Sequence, residues 1–149
     1  MNFNASMKLE IKIIPGAEAG GLVNSFYQEH GSKAVARDVD TFFVAFNGAD
    51  VVGAVRFCVE NNTPLLRTMM IHKDYRRQKI GQLLLTAFKE YLDNNQVRDT
   101  YCLPYAHLLE FYGSIGFKLI EEKKAPLFLQ ERLLQYRKQP ELFACMVRS

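Results

Sequence analysis

The sequence lacks any apolar run approaching the roughly 18 residues that a membrane-spanning helix needs. Charges interrupt every such run and the mean hydropathy is −0.12, so no membrane partner is expected. Met1-Asn2-Phe3-Asn4 offers no cationic segment followed by an apolar one, so no secretory signal is read and a cytoplasmic location is expected. Cysteine is scarce and odd in number: Cys58, Cys102 and Cys145 stand in apolar, strand-like surroundings without the close Cys or His spacing that zinc requires. Three reduced, buried thiols and no metal are the expectation. Charge of one sign is barely in excess, with 19 basic residues against 16 acidic ones and a net charge of +3. That balance suits an anionic ligand and falls short of a nucleic-acid footprint. No internal repeat, low-complexity tract or long linker divides the chain, so its 149 residues, 48% of them apolar, read as one globular domain over 1–149.

What is present alternates between strand and helix patterns. Met7 to Ile14 alternates apolar and charged residues, the period-two mark of a half-buried strand that Pro15-Gly16 stops. Ala17 to His30 places Leu22, Val23, Phe26 and Tyr27 at helical spacing, with Gly31 as its stop. Thr41 to Phe46 and Val51 to Val59 flank Asn47-Gly48-Ala49-Asp50 and predict a hairpin; Asn61-Asn62-Thr63-Pro64 predicts the next turn. Leu65 to Ile71 reads as a third strand of this group, ending in a loop at His72-Lys73-Asp74. Ile80, Leu83, Leu84, Ala87, Phe88, Tyr91 and Leu92 then form a full apolar helical stripe, closed by Asp93-Asn94-Asn95. Short elements follow: a strand at Thr100 to Leu103, a helix at His107 to Ile115 and a strand at Phe117 to Glu121. A helix at Leu127 to Arg137 and a strand at Leu142 to Val147 complete the series. The order predicts a mixed α/β (α+β) domain around a central sheet.

The segment entering the long helix, Arg76-Arg77-Gln78-Lys79-Ile80-Gly81-Gln82, carries three cations in four positions. Cations at a helix N-terminus oppose the helix dipole unless an anion lies between them, so a phosphate ligand fits; a solvated basic helix start is the other reading. Gly81 costs roughly 1 kcal/mol against Ala so early in a helix, which makes sense where backbone must approach something closely.

Residues 69–84, from Met69-Met70-Ile71 through Arg76 and Gly81 to Leu84, resemble motif A of the GNAT superfamily, the GCN5-related N-acetyltransferases. Lys79 stands where that motif usually has its first glycine, a substitution that a helical backbone would tolerate. Leu108 to Phe117 is similar to motif B, through Phe111-Tyr112 and Gly116-Phe117. Tyr105 occupies the position where the family often has a cofactor-contacting Asn. Thr100 stands where some members have a Glu base, so the base lies elsewhere.

The resemblance implies a single GNAT-like N-acetyltransferase domain whose sheet is mixed, mostly antiparallel and flanked by helices. The strand at Leu65 to Ile71 would splay from that at Thr100 to Leu103. Acetyl-CoA would lie in the splay, its pantetheine against the backbone of Met69, Met70 and Ile71. Its pyrophosphate would sit on the backbone of Arg77, Gln78, Lys79, Ile80, Gly81 and Gln82, with Arg76 and Arg77 adding charge. Tyr105 would face the cofactor arm. The implied reaction is direct attack of a neutral amine, on a small molecule or a protein, with no acyl-enzyme. Tyr112 holds the family's tyrosine position and is the candidate acid for the departing thiolate, although it also fits a Leu108, Phe111, Ile115 core stripe. For the base, His107 stands at the start of that helix as an imidazole able to exchange protons near neutral pH, or as a surface or cap residue. His72 is a comparable candidate, Glu10, Glu60 and Glu110 are unranked, and a water-mediated base is equally open. Cys102 reads as packing.

Lys123 to Gln139 exceeds a plain connection, so a helix there covers the amine site, forms a subunit contact in a homodimer, or packs structurally. An acetyl-CoA-binding regulator without turnover is a second class of reading. A nucleic-acid binder is a poor third, because the cations are local.

Overall fold

The computed structural model describes residues 8–77, 79–139 and 142–149. The N-terminal alternation becomes edge strand β1 (Leu9–Pro15), in which Leu9 and Ile11 lean on one core and Ile14 on another. The expected start at Met7 lies outside the described residues. Helix α1 (Gly16–Glu29) follows at once. Gly16 is needed there because its N–H meets the Asp40 carbonyl at 2.7 Å and a Cβ would collide with the Arg37 carbonyl.

β2 (Thr41–Asn47) and β3 (Asp50–Glu60) form the expected hairpin, but Asn47 and Asp50 pair with each other, leaving Gly48-Ala49 as the turn. The turn at Asn61-Asn62-Thr63-Pro64 contracts in the same way. Asn61 and Asn62 take φ of 50° and 58°, the left-handed pair that suits the twist of a two-residue hairpin, so Thr63 and Pro64 enter β4 (Thr63–Ile71).

Helix α2 (Ile80–Asn94) forms as expected, with its buried stripe differently phased. Leu85 is fully buried beside Ile80, Leu84, Phe88 and Leu92, whereas Leu83 is 43% exposed. Three leucines in succession allow more than one helical stripe, and packing against the sheet selects Leu84 and Leu85. β5 (Thr100–Cys102) ends one residue before the expected Leu103. The helix expected over His107 to Ile115 is a 3-10 turn, Ala106–Leu108, then a five-residue α3 (Leu109–Gly113), because Leu108 at φ −106° and ψ 18° breaks the α pattern. Of the strand expected at Phe117 to Glu121, only β6 (Lys118–Leu119) pairs in the sheet, since Glu121 leads into the 3-10 turn Glu122–Lys124. α4 (Leu127–Tyr136) matches the expected late helix to within a residue. The last strand shrinks to β7 (Met146–Arg148) because the residues before it serve the loop after β5. The Leu142 carbonyl accepts from the Ala106 N–H and the Ala144 N–H reaches the Pro104 carbonyl.

Among the described residues seven strands are ordered β1-β2-β3-β4-β5-β7-β6, antiparallel throughout except for the parallel β4–β5 pair. Side-chain alternation gives the sheet two faces. On one, α2 and α3 cover Phe43, Ala45, Val55 and Leu66; on the other, α1 covers Phe42, Val44 and Ala54. Along β3, Cys58 shares the face of Ala54, so α4, which packs Leu129 and Leu133 on Cys58, Leu65 and Cys145, lies on the α1 side. The three cysteines are free and buried, as expected. Among the described residues no helix is long and apolar enough to cross a membrane.

Candidate active site

The parallel β4–β5 contact consists of a single registered pair, Leu65 with Tyr101. Past it the strands diverge, and the carboxyl half of β4 leaves its N–H and C=O groups on that side without a strand partner, as polar groups that a ligand can satisfy. The divergence coincides with a bulge in β4. Ala54 faces Met70 while Arg56 faces Arg67, so β4 carries one residue more than β3 between these pairs. Thr68, within the bulge, is left-handed at φ 56°, a conformation that costs a β-branched residue roughly 1–3 kcal/mol.

A buried polar network over-determines that bulge. Tyr27 Oη donates to the Thr68 carbonyl at 2.8 Å, and Arg56 Nη2 donates to Thr68 Oγ1 at 3.2 Å. Arg56 Nη1 in turn meets Asp40 Oδ2 at 3.3 Å and the Val35 carbonyl at 3.1 Å, while Arg37 holds the other Asp40 oxygen at 2.8 Å. Arg56 is 6% exposed and Asp40 2%, so the buried guanidinium depends on Asp40, and the carboxylate on Arg56 and Arg37 together.

The turn into α2 has a matching feature. Arg77 and Lys79 have φ of 71° and 62°. Lys79 caps α2 with no side-chain bond, and the first main-chain helical bond runs from the Leu83 N–H to the Lys79 carbonyl. The N–H groups of Ile80, Gly81 and Gln82 therefore lack helical acceptors and point out of the helix end. This corrects the expectation for Lys79: its backbone is left-handed, not helical, which is the geometry a glycine would serve. Gly81 also has a different neighbour from the one expected. A Cβ on it would stand 2.9 Å from the Phe111 ring, so the glycine admits α3 against α2. Gln82 makes the same junction, donating from Nε2 to Ser114 Oγ at 3.0 Å.

Around the divergence runs a cleft of about 1070 Å3. Its wall brings together Met69, Met70, Ile71, Arg76, Arg77, Lys79, Ile80, Gly81, Gln82 and Tyr105, expected at the coenzyme, with His107 and Tyr112; Gln78 lies outside the described residues. Tyr112 is 5% exposed, and burial, with the Cys102 thiol adding to it, pushes its phenol well above the usual range, so it is protonated at any working pH. Its hydroxyl bonds no described residue. Tyr105 stacks between His107 and Phe143, with centroids at 5.6 and 4.8 Å. Burial likewise pushes the Cys102 thiol up, which disfavours a thiolate nucleophile.

His72, Glu10, Glu60 and Glu110 stand off the wall. His72 instead caps the Lys73–Tyr75 turn, its Nδ1 accepting from the Asp74 N–H at 3.1 Å. The wall has an imidazole that the sequence did not single out. His30 Nδ1 lies 2.9 Å from the Phe26 carbonyl, which can only accept, so Nδ1 carries a proton and Nε2 is the nitrogen left for another partner. Arg67, Arg132, Tyr136 and Gln139 also reach the wall from β4, α4 and the segment after it. They are polar residues of unremarkable spacing, and only the fold unites them. Among the described residues no three His, Cys, Asp or Glu side chains gather as a metal site.

Comparison with known proteins agrees with this geometry. The Acetyltransferase (GNAT) domain family matches residues 38–119, more than half of the chain. No curated protein matches the sequence significantly. Among solved structures, an acyl-CoA N-acyltransferase from Pseudomonas aeruginosa is similar, with TM-score 0.67 and 13% identity over 95% of this chain and 100% of that one. The ribosomal-protein-S18-alanine N-acetyltransferase of Escherichia coli gives TM-score 0.66 and 15% identity over 95% and 93%. N-acetylglutamate synthase from Neisseria gonorrhoeae, complexed with coenzyme A and N-acetyl-glutamate, gives TM-score 0.65 and 14% identity over 93% of this chain and 35% of that one. The fold, the diverging strands and the matched domain together make this chain a member of the GNAT acetyltransferase family, an acyltransferase built on a single splayed sheet.

Proposed function

We propose that the protein transfers the acetyl group of acetyl-CoA directly to a primary amine, giving an N-acetyl amide and free coenzyme A thiol. The observation that carries this reading is the position of the opening in the sheet: the carboxyl half of β4 points its backbone into a cleft that ends on the unpaired N–H groups of α2. Acetyl-CoA supplies a thioester already activated toward amines. Main-chain groups of Met69, Met70 and Ile71 suit its amide-bearing arm. The N–H groups of Ile80, Gly81 and Gln82 suit its diphosphate, with Arg76, Arg77 and Lys79 supplying counter-charge. Tyr105 faces the arm from across the cleft.

Direct transfer is supported by the buried, high-pKa Cys102, which is poorly prepared to form an acyl-enzyme. Tyr112 is the acid: it presents a protonated hydroxyl that no described residue engages, placed to give its proton to the leaving thiolate. The amine's proton passes to an imidazole of the wall. His107 and His30 are the imidazoles there among the described residues, and single substitutions by Gln distinguish them. The acceptor is a small-molecule or protein amine. Two structures of similar fold carry names of both kinds, one a protein-alanine acetyltransferase and the other bound to N-acetyl-glutamate.

Thermal shift with acetyl-CoA, combined with thiol release over a panel of amines, tests the assignment. Stabilisation by acetyl-CoA together with amine-dependent thiol release is expected. Stabilisation without release on any amine would make the protein an acetyl-CoA-binding regulator. Tyr112→Phe should lower kcat by about 100-fold, the lower range for a lost general acid, while shifting acetyl-CoA affinity much less. Wild-type turnover in that variant would remove Tyr112 from the mechanism.

A further inference from the structure

The cleft passes through the sheet, and its two ends differ. The Arg76 to Gln82 end opens on the α2 and α3 face. Arg67 pairs across the ladder with Arg56, so both side chains project to the α1 and α4 face, where His30 and Arg132 also stand. Following β4 from the α2 end, Met69 comes before Arg67, with the bulge residue Thr68 between them. Arg67 and Arg132 therefore lie beyond the coenzyme's reactive end, on the side left for the acceptor.

The charge at this end is cationic and organised. Arg132 is bidentate on Glu60, with Nη1 to Oε2 at 3.2 Å and Nη2 to Oε1 at 3.0 Å, and its guanidinium lies over the Phe128 ring at 5.6 Å. Arg67 gives the same carboxylate one bond, Nη1 to Oε2 at 3.2 Å, and its Nε and Nη2 have no hydrogen-bond partner among the described residues. Glu60 lies behind the wall, while both arginines lie on it. Two guanidinium groups against one carboxylate leave the cluster with one positive charge. Its side chains are only 32%, 22% and 20% exposed for Arg67, Arg132 and Glu60, so water screens that charge incompletely. Among the described residues the wall of the cleft holds no Asp or Glu at all. Such a wall opposes a polycationic acceptor and suits an anionic one.

Resting on the transfer proposed above, we infer that the acceptor amine carries a carboxylate, and that Arg67, held in place by Glu60 and Arg132, binds it. The planar fork of Arg67 matches a carboxylate, and one residual positive charge balances a monoanion and not a phosphate ester carrying nearly two negative charges. The acceptor class is therefore amino acids and related amino carboxylates. Arg67 determines specificity and takes no part in the chemistry.

The test measures kcat/KM by thiol release for glycine, β-alanine and γ-aminobutyrate beside their carboxamides. At least one amino acid should exceed its carboxamide tenfold or more in the wild type. That ratio should fall toward one in Arg67→Gln and keep an intermediate value in Arg67→Lys, which retains charge without the fork. Thermal midpoint and the acetyl-CoA shift report whether each variant is folded; if Arg67→Gln is not, Arg67→Lys alone decides the ratio. Equal use of carboxylates and carboxamides by an enzyme that acetylates both would overturn this inference and leave amine transfer standing. A ratio unchanged in the Arg67 variants would overturn the role of Arg67. Thiol release from no amine would remove transfer, and this specificity with it.

Discussion

Lys79 sits at φ 62° on the turn that aims the α2 N-terminus, and its backbone has a measurable consequence for stability. A left-handed conformation costs an L-residue roughly 1–2 kcal/mol, and glycine is exempt. Glycine also brings a floppier unfolded chain, worth about 0.5–1 kcal/mol against it. Lys79→Gly should therefore match the wild type or exceed it by up to about 1.5 kcal/mol. Lys79→Ala is the control, because it removes the same charge and the same side-chain length while keeping the strain. The glycine variant should be more stable than the alanine variant by about 1 kcal/mol, a difference of about 2–4 °C in Tm for a chain of this size. Both variants lose one cation beside the proposed diphosphate site, so both should bind acetyl-CoA more weakly, and Lys79→Arg should not. Differential scanning calorimetry and an acetyl-CoA titration on the three variants give both quantities. Alanine more stable than glycine would show that the turn is not left-handed at this residue, and the geometry described for the start of α2 would fail with it.

Other expectations follow from packing and charge. Leu85→Ala should cost about 2–5 kcal/mol in urea unfolding, whereas Leu83→Ala should stay within about 0.5 kcal/mol; the reverse order would mean that α2 is rotated from the phase described. Tyr27→Phe removes the bond to the Thr68 carbonyl and should cost about 1 kcal/mol while raising KM for acetyl-CoA; unchanged values would show that the bulge holds its shape unaided. Burial pulls the Glu60 carboxyl up, but the Arg132 hydrogen bond and the charges of Arg67, Arg132 and Arg37 outweigh it and hold the group below its ordinary 4.5. Since the folded form binds this proton less readily than the unfolded chain, Glu60 stabilises the fold above that pH and the contribution is lost as pH falls through the folded value. The stability gap between wild type and Glu60→Gln should thus be widest near neutrality and close in acid; a gap independent of pH would contradict the ion pairing.

Strand identity was legible wherever a short period met a turn signal, as at Leu9 to Ile14 and across the β2–β3 hairpin. The proposed coenzyme end was legible because its residues are contiguous: one strand exit and one helix start span Met69 to Gln82. Where the reading failed, distant or ambiguous residues decided the outcome. Leu83, Leu84 and Leu85 cannot set their own helical phase, since the sheet chooses among them. Thr68 is a β-branched residue in a β-rich run, and its left-handed backbone follows from Tyr27 and Arg56, far away in sequence. Glu60 and Arg132 meet across 72 residues, and no local pattern announces such a cluster. Lys79 was visible as a departure from the motif, yet the conformation it adopts became evident only with the backbone.

The single registered pair between β4 and β5 makes the sheet two leaves, four strands and three, sharing one stitch, with α4 bridging them through Leu129 and Leu133. A long ligand threaded along the open margin would bond both leaves at once and act as a removable strand. Loading the coenzyme would then also lace the molecule together, and amide protons along Met69–Ile71 and Thr100–Cys102 should exchange more slowly as a set once it is in place. The opening proposed for the coenzyme and the line along which the two leaves share one registered pair are the same place.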